Sequence, residues 1–331
     1  MIAIPTHFWR TALSRAAPML ALLAVVLLFR VWWPAAGFSV DDVRTILLQS
    51  GIVAIAALGA SLVIVAGGID LSVGSVVALA SVAAAKVMLP SASAPDAPVQ
   101  WWQPTLAVAA AVTVGAVCGL YNGVLVTKLR LPPFIATLGT LGFFRGVAKY
   151  LSESQPVYSR AGPLNTWVAL RPEPWWLLVA PAAWMALGLS VVLAVVIHGS
   201  VFGRRAVAIG SNEEAALRCA VPVERTKIWV YVIAGMLVGF AGVVQFARLG
   251  GSGDPTIQVG LELKAIAAVV IGGASLAGGH VSIVGTMCGV VLLALLENRC
   301  TAVGLPNYAQ EIIVGHIIIV AVAVDRARAR K

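Results

Sequence analysis

Between Arg44 and Lys86 the chain reads ILLQSGIVAIAALGASLVIVA (46–66), GGIDL (67–71) and SVGSVVALASVAAAKVML (72–89), and its only charge before Lys86 is Asp70. Roughly 20 consecutive apolar residues are needed to cross the hydrocarbon core of a bilayer as a helix. Two such runs, broken only by paired glycines and one carboxylate, read as two membrane-crossing helices joined by a tight hairpin. A soluble core helix has a polar face at helical period, and neither run has one.

The pattern extends in both directions. Runs of spanning length occur at 16–33, 46–66, 72–89, 105–127, 133–151, 175–198, 228–248, 261–277, 281–298 and 308–325, which predicts an all-α polytopic membrane protein of about ten transmembrane helices. The eighth run is short and opens with Glu262 and Lys264. Composition agrees. The 331 residues are 60% hydrophobic and 11% charged, with a mean hydropathy of +0.94, whereas soluble domains carry roughly 25% charged residues. The net charge of +9 does not indicate a nucleic-acid partner, because the basic residues sit in short segments between apolar runs. Cys118, Cys219, Cys288 and Cys300 are scattered without CxxC spacing, and His7, His198, His280 and His316 are equally dispersed. Neither a disulfide framework nor a metal site is expected. At the N-terminus, Arg10 and Arg15 precede the apolar run 16–29 as in a secretory signal, but the Trp32–Trp33 pair beyond it fits the interfacial anchor of an uncleaved first span.

Charge sets orientation. Arg10, Arg15, Lys128, Arg130, Arg204, Arg205, Arg218, Arg225, Lys227, Arg326, Arg328, Arg330 and Lys331 fall on one side of a ten-span chain, the cytoplasmic side by the positive-inside rule. The other side carries the Gly/Pro/Ser-rich segments 91–96 and 250–254, and a belt of Trp101, Trp102, Trp167, Trp175 and Trp176. The chain is thus expected to be a single membrane domain over 1–331, with both termini cytoplasmic, short tails at 1–15 and 326–331, and a cytoplasmic loop at 199–227. Internal echoes point two ways. GAVCG (115–119) and GTMCG (285–289), each followed by a Leu-Pro pair, lie on oppositely directed spans and suggest an inverted five-plus-five repeat. GGIDL (67–71) and GGASL (272–276) lie in hairpins that point the same way, which an inverted repeat does not explain.

Several constellations could carry chemistry. No lysine follows a glycine in a P-loop pattern, so the chain hydrolyses no ATP by that route. No catalytic residue and no cofactor is expected. The hairpin residues Gly67, Gly68, Asp70, Ser72 and Gly74, and the second set Gly272, Gly273 and Ser275, are candidates for the translocation path, since interrupted helices mark transport routes. Asp70 has two readings: an intramembrane carboxylate with a functional role, or a cap for the helix that begins near Ser72. Ser275 with His280 or His316 invites an intramembrane protease reading, but small residues in membrane helices more often serve close packing. The loop at 199–227 is the most informative. Ser211 and Glu214 have capping-box spacing, Asn212 and Glu213 add polarity to the first turn, and Arg218 complements the other end of the dipole. Pro222 stops the helix. Ala215, Ala216 and Leu217 give this short helix a small apolar face suited to docking in a partner's groove.

Four motifs now carry a resemblance: GGIDLSVGSVVAL (67–79), PPFIATLGTLGFFRG (132–146), AIGSNEEAAL (208–217) and AIAAVVIGGASLAGG (265–279). Together they resemble the bacterial inner-membrane ABC permeases for ribose, xylose, arabinose, galactose, rhamnose and related sugars, over about 45–325. The resemblance implies an importer in which this subunit pairs with a second permease copy or paralogue, with one or more ABC ATPase subunits, and with a periplasmic sugar-binding protein, embedded in membrane lipid. It also implies that 211–220 is the coupling helix contacting the ATPase. Ser211 and Ala220 stand where the family commonly has glycine, and His280-Val281 replace a usual Arg-Gly. The alternatives are a secondary transporter driven by an ion gradient and a permease for another small polar solute such as branched-chain amino acids. The sequence does not name the sugar.

Overall fold

A computed structural model describes residues 19–20, 22–27, 29–31, 39–90 and 98–329. Arg10, Arg15, the Trp32–Trp33 pair, the segment 91–96, Arg330 and Lys331 lie outside the described residues, as do the side chains of Arg326 and Arg328. From residue 39 onward the helices are α1 (Val40–Val65), α2 (Val73–Val87), α3 (Gln103–Thr127), α4 (Pro133–Leu151), α5 (Pro181–Gly199), α6 (Val201–Ser211), α7 (Glu213–Arg218), α8 (Val223–Arg248), α9 (Leu261–Ile271), α10 (Ile283–Ala302) and α11 (Asn307–Ala329). The molecule is an all-α polytopic membrane protein. Among the described residues five helices are both long and apolar enough to cross a bilayer: α1, α3, α5, α8 and α10. The described residues of the first expected span are helical, and Phe29 packs with Leu292, Leu296 and Cys300 of α10. Among the described residues the one sheet is a minimal antiparallel pair, β1 (Val157–Tyr158) on β2 (Ser252–Gly253).

Helix α1 starts at a capping box. The Ser39 hydroxyl accepts from Asp42 N at 3.0 Å, and the Asp42 carboxylate accepts from Ser39 N at 2.9 Å. From Ile52 to Val65 the helix is almost wholly enclosed by protein, which makes it the axis of the bundle. Lipid tails are as apolar as Leu, so helices in a membrane gain by close packing rather than by hiding apolar surface. Small residues recur where that packing is tightest. Ala111, Gly115, Gly119 and Gly123 of α3 face Gly239, Gly235, Tyr231 and Ile228 of antiparallel α8, and a Cβ on Gly239 would stand 3.1 Å from the Cα of Gly115. A Cβ on Gly115 would strike the carbonyl of Gly235, and one on Gly119 the carbonyl of Tyr231. Gly289 of α10 lies as close to Ala268 of α9, and Gly59 of α1 packs less tightly on α8, where a Cβ would stand 3.0 Å from Ala234 O.

The packing partners follow a regular scheme. Helix α3 packs on α8, and α10 on α1; α2 packs on α8, and α9 on α1. Likewise α2 packs on α3 and on α4, while α9 packs on α10 and on α11.

Two expected spans differ from the structure. The run 175–198 is helical only from Pro181: residues 175–177 form a 3-10 turn, and Leu178 takes a left-handed φ of 61°, which no α-helix can include. The run 261–277 stops at Ile271. Gly273 turns the chain at a φ of 89°, and Ala274 N bonds back to Val269 O, the closure of a Schellman turn. At 1.5 Å per residue α9 is about 16 Å long, roughly half the hydrocarbon thickness.

The α3–α8 contact leaves no volume at Gly119. Gly119→Val is expected to lower the thermal unfolding midpoint of the detergent-purified protein, since overpacking typically costs about 1–3 kcal/mol. Gly139→Ala, at a position with open space around it, is expected to leave the midpoint unchanged. Equal midpoints for the two variants would refute the close crossing.

Candidate functional site

The α1–α2 hairpin is built by a helix end and a carboxylate. Gly67 N bonds Ile64 O, and Gly68 N bonds Val63 O at 3.0 Å, with Gly67 at a φ of 81° that only glycine takes readily. Asp70 then turns the chain into α2: its Oδ1 accepts from Ser72 N at 2.8 Å and from the Ser72 hydroxyl at 2.7 Å. Asp70 is enclosed by protein at 9% exposure. The network continues outward from it. Asn122 of α3 donates to the Ser72 hydroxyl at 2.9 Å, and the Thr137 hydroxyl of α4 accepts from Leu71 N at 3.1 Å. The Tyr231 hydroxyl stands over Gly68, where a Cβ would lie 2.8 Å from it.

The second glycine turn, 272–280, lies at the same end of the bundle. Gly279 N donates to Val65 O, the last residue of α1, at 2.9 Å. The C-terminus of α6 is inserted where these two turns meet. A Cβ on Gly210 would strike Val65 O and come within 2.6 Å of Gly279 N. A Cβ on Gly278 would stand 2.8 Å from both Gly210 O and Gly67 Cα, and one on Gly279 would stand 2.9 Å from Ser211 Cα. Three chain segments therefore meet almost wholly through backbone atoms, the short Ser211 hydroxyl against Gly279 being the one side chain among these contacts. Of the sequence candidates, this junction unites Gly67, Ser211 and the turn holding Ser275. Gly272 sits apart, pressed against Gly285 of α10, and Gly74 lies against the Gln258 carbonyl and the Glu262 carboxylate. The Ser275 hydroxyl accepts from Ala277 N at 3.3 Å.

The loop 199–227 holds two helices. Ser200 breaks the chain after α5 and caps α6 by accepting from Gly203 N. Ser211 does not cap the next helix. It ends α6, its hydroxyl donating to Val207 O at 2.9 Å, and Asn212 is the cap of α7, its Oδ1 accepting from Ala215 N at 2.9 Å. The reason is backbone geometry: Ser211 is still helical, whereas Asn212 is extended, as an N-cap must be. Ala216 is buried against Ile209 and Val223, so it seats α7 on the permease itself. Ala215 and Leu217 are exposed, Leu217 at 56%. Glu213 is held by Lys227 at 2.7 Å.

At the opposite end of α8 the chain repeats the hairpin's construction. Gly250 N bonds Ala247 O, Gly251 N bonds Phe246 O at 3.0 Å, and Gly250 has a φ of 67°. Asp254 Oδ1 then accepts from Thr256 N at 2.8 Å and from the Thr256 hydroxyl at 2.7 Å. These are the bonds of Gly67, Gly68, Asp70 and Ser72 over again. The sequence reading missed this pair because one extra residue separates the glycines from Asp254; the shared Gly-Gly and Asp-x-Ser/Thr were the available signal. It also missed Asn122, Thr137 and Tyr231, of which Asn122, a lone amide in an apolar run, was the most visible.

A family profile described as the branched-chain amino acid transport system / permease component matches residues 43–322. The chain is 36% identical over 332 residues to the ribose import permease protein RbsC of Escherichia coli, covering 97% of each. It is 36% identical over 317 residues to the RbsC of Bacillus subtilis, covering 96% of this chain and 94% of the relative. To the L-arabinose ABC transporter permease protein AraH of Azospirillum brasilense it is 32% identical over 313 residues, 92% of this chain and 87% of the relative. No solved structure matches.

Asp70 separates by substitution. Asn keeps an acceptor for the Ser72 N–H, so Asp70→Asn is expected to be mild; Asp70→Ala strands buried donors and is expected to cost about 1–3 kcal/mol of stability. Thermal unfolding and solute uptake at matched expression check this. Equal, severe loss of uptake in both variants, with stability kept in Asn, would assign the charge itself to transport.

Proposed function

The chain belongs to the sugar ABC transporter permease family, and from that premise we propose that α7 is its contact with the partner ATPase and that the Gly210 junction relays the resulting motion to the translocation path. It is the membrane subunit of an ABC importer for sugar, a multi-pass protein of the bacterial inner membrane. One observation carries the coupling reading: Gly210, one residue before the α6–α7 break, touches Val65 and the 278–279 turn through backbone atoms, and Ser211 meets Gly279 through its hydroxyl, Cα and N. A push on α7 thus reaches the ends of α1 and α9 without compressible side chains between, and packed interfaces respond to such small shifts by switching rather than by yielding.

The finer architecture belongs to the same proposal. Ten spans with both termini cytoplasmic put α6 and α7 on the ATPase side, and put the β1–β2 pair on the side where a periplasmic sugar-binding protein delivers its load. Two inverted five-span halves are supported by the reciprocal helix contacts and by the matched turns at Asp70 and Asp254. Here the useful echo is the one between Gly67-Gly68 and Gly250-Gly251, since α1 and α8 are each the second span of their half. The importer would further contain a second permease copy or paralogue. A sugar is favoured over a branched-chain amino acid because the ribose and L-arabinose permeases are the relatives that match along nearly the whole chain. An ion-driven secondary transporter is not favoured by any of them.

Two experiments test the coupling reading. Leu217→Asp places a carboxylate on the exposed face of α7, and a charge buried without a partner at an interface costs several kcal/mol; it is expected to abolish co-purification with the ATPase and ATP-driven uptake, leaving the permease folded. Gly210→Val is expected to keep ATPase association but lose uptake. Full association and uptake in Leu217→Asp would remove α7 as the dock. For orientation, in a background with Cys219→Ser, Tyr158→Cys is expected to react with an impermeant thiol reagent in intact cells, and Arg218→Cys only after the membrane is opened. The reverse pattern would invert the topology.

A further inference from the structure

A polar cavity lies far from the Gly210 junction, at the end of the bundle where α8 finishes. Its volume is about 280 Å³; its polar wall includes Gln49 of α1, Arg248 of α8, Gln258 of the α8–α9 loop, Lys264 of α9, Glu297 of α10 and Gln310 of α11, and aliphatic side chains of α1, α9 and α10 complete the lining. A second space of about 550 Å³ adjoins it through Lys264, Glu297 and Gln310. Five helices contribute to one hollow because α9 is short: it fills only half the depth that a full span would occupy. We propose that this cavity is a binding site for a polyhydroxy solute entering the permease.

The chemistry of the lining carries the proposal. Lys264 Nζ and Glu297 Oε1 pair at 2.7 Å, which offsets those two charges yet leaves ammonium protons and a second carboxylate oxygen free to bond, while Arg248 keeps the lining positive by one charge. Gln258 Nε2 donates to Gln245 Oε1 at 2.8 Å, and Gln310 Nε2 donates to Thr301 Oγ1 and Leu305 O at 3.1 Å. Each amide is thereby held in one orientation with its own carbonyl oxygen available. The side chains of Gln49 and Arg248 make no hydrogen bond among the described residues and add further donors and an acceptor. Interleaved donors and acceptors suit hydroxyl groups, which both give and receive. A branched aliphatic side chain would leave all these groups unpaired, the kind of mismatch a polar site rejects most strongly. The size agrees, since pockets for drug-sized ligands run from roughly 300 to 1,000 Å³ and this hollow falls just below them.

The proposal rests on the chain being a solute permease, but its test does not need the ATPase. Thr301 is exposed at the rim. In purified permease in lipid nanodiscs, with Cys219→Ser and Cys288→Ser, Thr301→Cys is labelled with a maleimide in the presence of ribose, L-arabinose, xylose or galactose at high millimolar concentration, or of leucine at the same concentration. Tyr308→Cys, exposed and outside both spaces, is the control. At least one sugar is expected to slow labelling at position 301 several-fold without affecting position 308, and leucine to have no effect. Adding Gln258→Leu with Gln310→Leu is expected to abolish the protection. No slowing by any sugar, equal slowing by leucine, or protection that survives the double substitution would each overturn the site. The Leu217→Asp result is independent of all three, so failure here leaves the coupling reading standing, and failure there leaves this one.

Discussion

Two helices in lipid have no water to flee from each other's flanks, so their attraction depends on how closely their backbones can approach. In this protein α3 and α8 meet at Ala111, Gly115, Gly119 and Gly123 against Gly239, Gly235, Tyr231 and Ile228, with clearance for hydrogen and nothing larger at the glycines. Helix α8 then bears α1 on one side at Gly59 and α2 on another at Gly242. The bundle is therefore organised around backbone surfaces rather than around large apolar side chains. The same principle recurs at the Gly210 junction, where, on the proposed coupling route, it would serve motion instead of cohesion.

Much of this was readable from the chain alone. The apolar runs at 46–66, 105–127 and 281–298 became α1, α3 and α10 with ends moved by a few residues, because a bilayer demands length and apolarity and both are local properties. The Gly-Gly pairs announced turns for an equally local reason. What escaped were features set by tertiary contact. Whether 261–277 crosses fully depends on Gly273 adopting a positive φ, which an apolar count cannot register. Which residue caps α7 depended on where α6 ended, and the spacing Ser211 to Glu214 was as good a signal for the wrong start as Asn212 for the right one. The burial of Ala216 follows from Ile209 and Val223 arriving beneath it. The cavity between α1, α8, α9, α10 and α11 draws one or two residues from each, and no local pattern collects Gln49, Gln258 and Gln310.

The two ends of the bundle divide the labour. At one, the junction itself is built from carbonyls, amides, Cα atoms and the short Ser211 hydroxyl, a setting suited to the transmission of position that the coupling proposal requires. At the other, side chains with strong hydrogen-bonding capacity face an open hollow, a setting in which a solute can be held. Helix α9 reaches both: Gln258 just before it and Lys264 in its first turn line the hollow, and the turn after its end carries Gly278 and Gly279 into the junction. On the two proposals taken together its shortness would link solute and motor, since both regions would feel any shift along its axis.

The seating of α7 has a kinetic meaning. Asn212 caps it, Lys227 holds Glu213, and Ala216 anchors it on Ile209 and Val223, so its shape exists before any partner arrives. Fixing a backbone residue costs on the order of 1–2 kcal/mol, and here that cost falls on folding of the permease instead of on each encounter. A loop that had to order on contact would spend part of every binding event on its own disorder. A preformed helix presents a rigid template, so that under the coupling proposal a displaced ATPase would move it as one body and little of the stroke would be lost to slack.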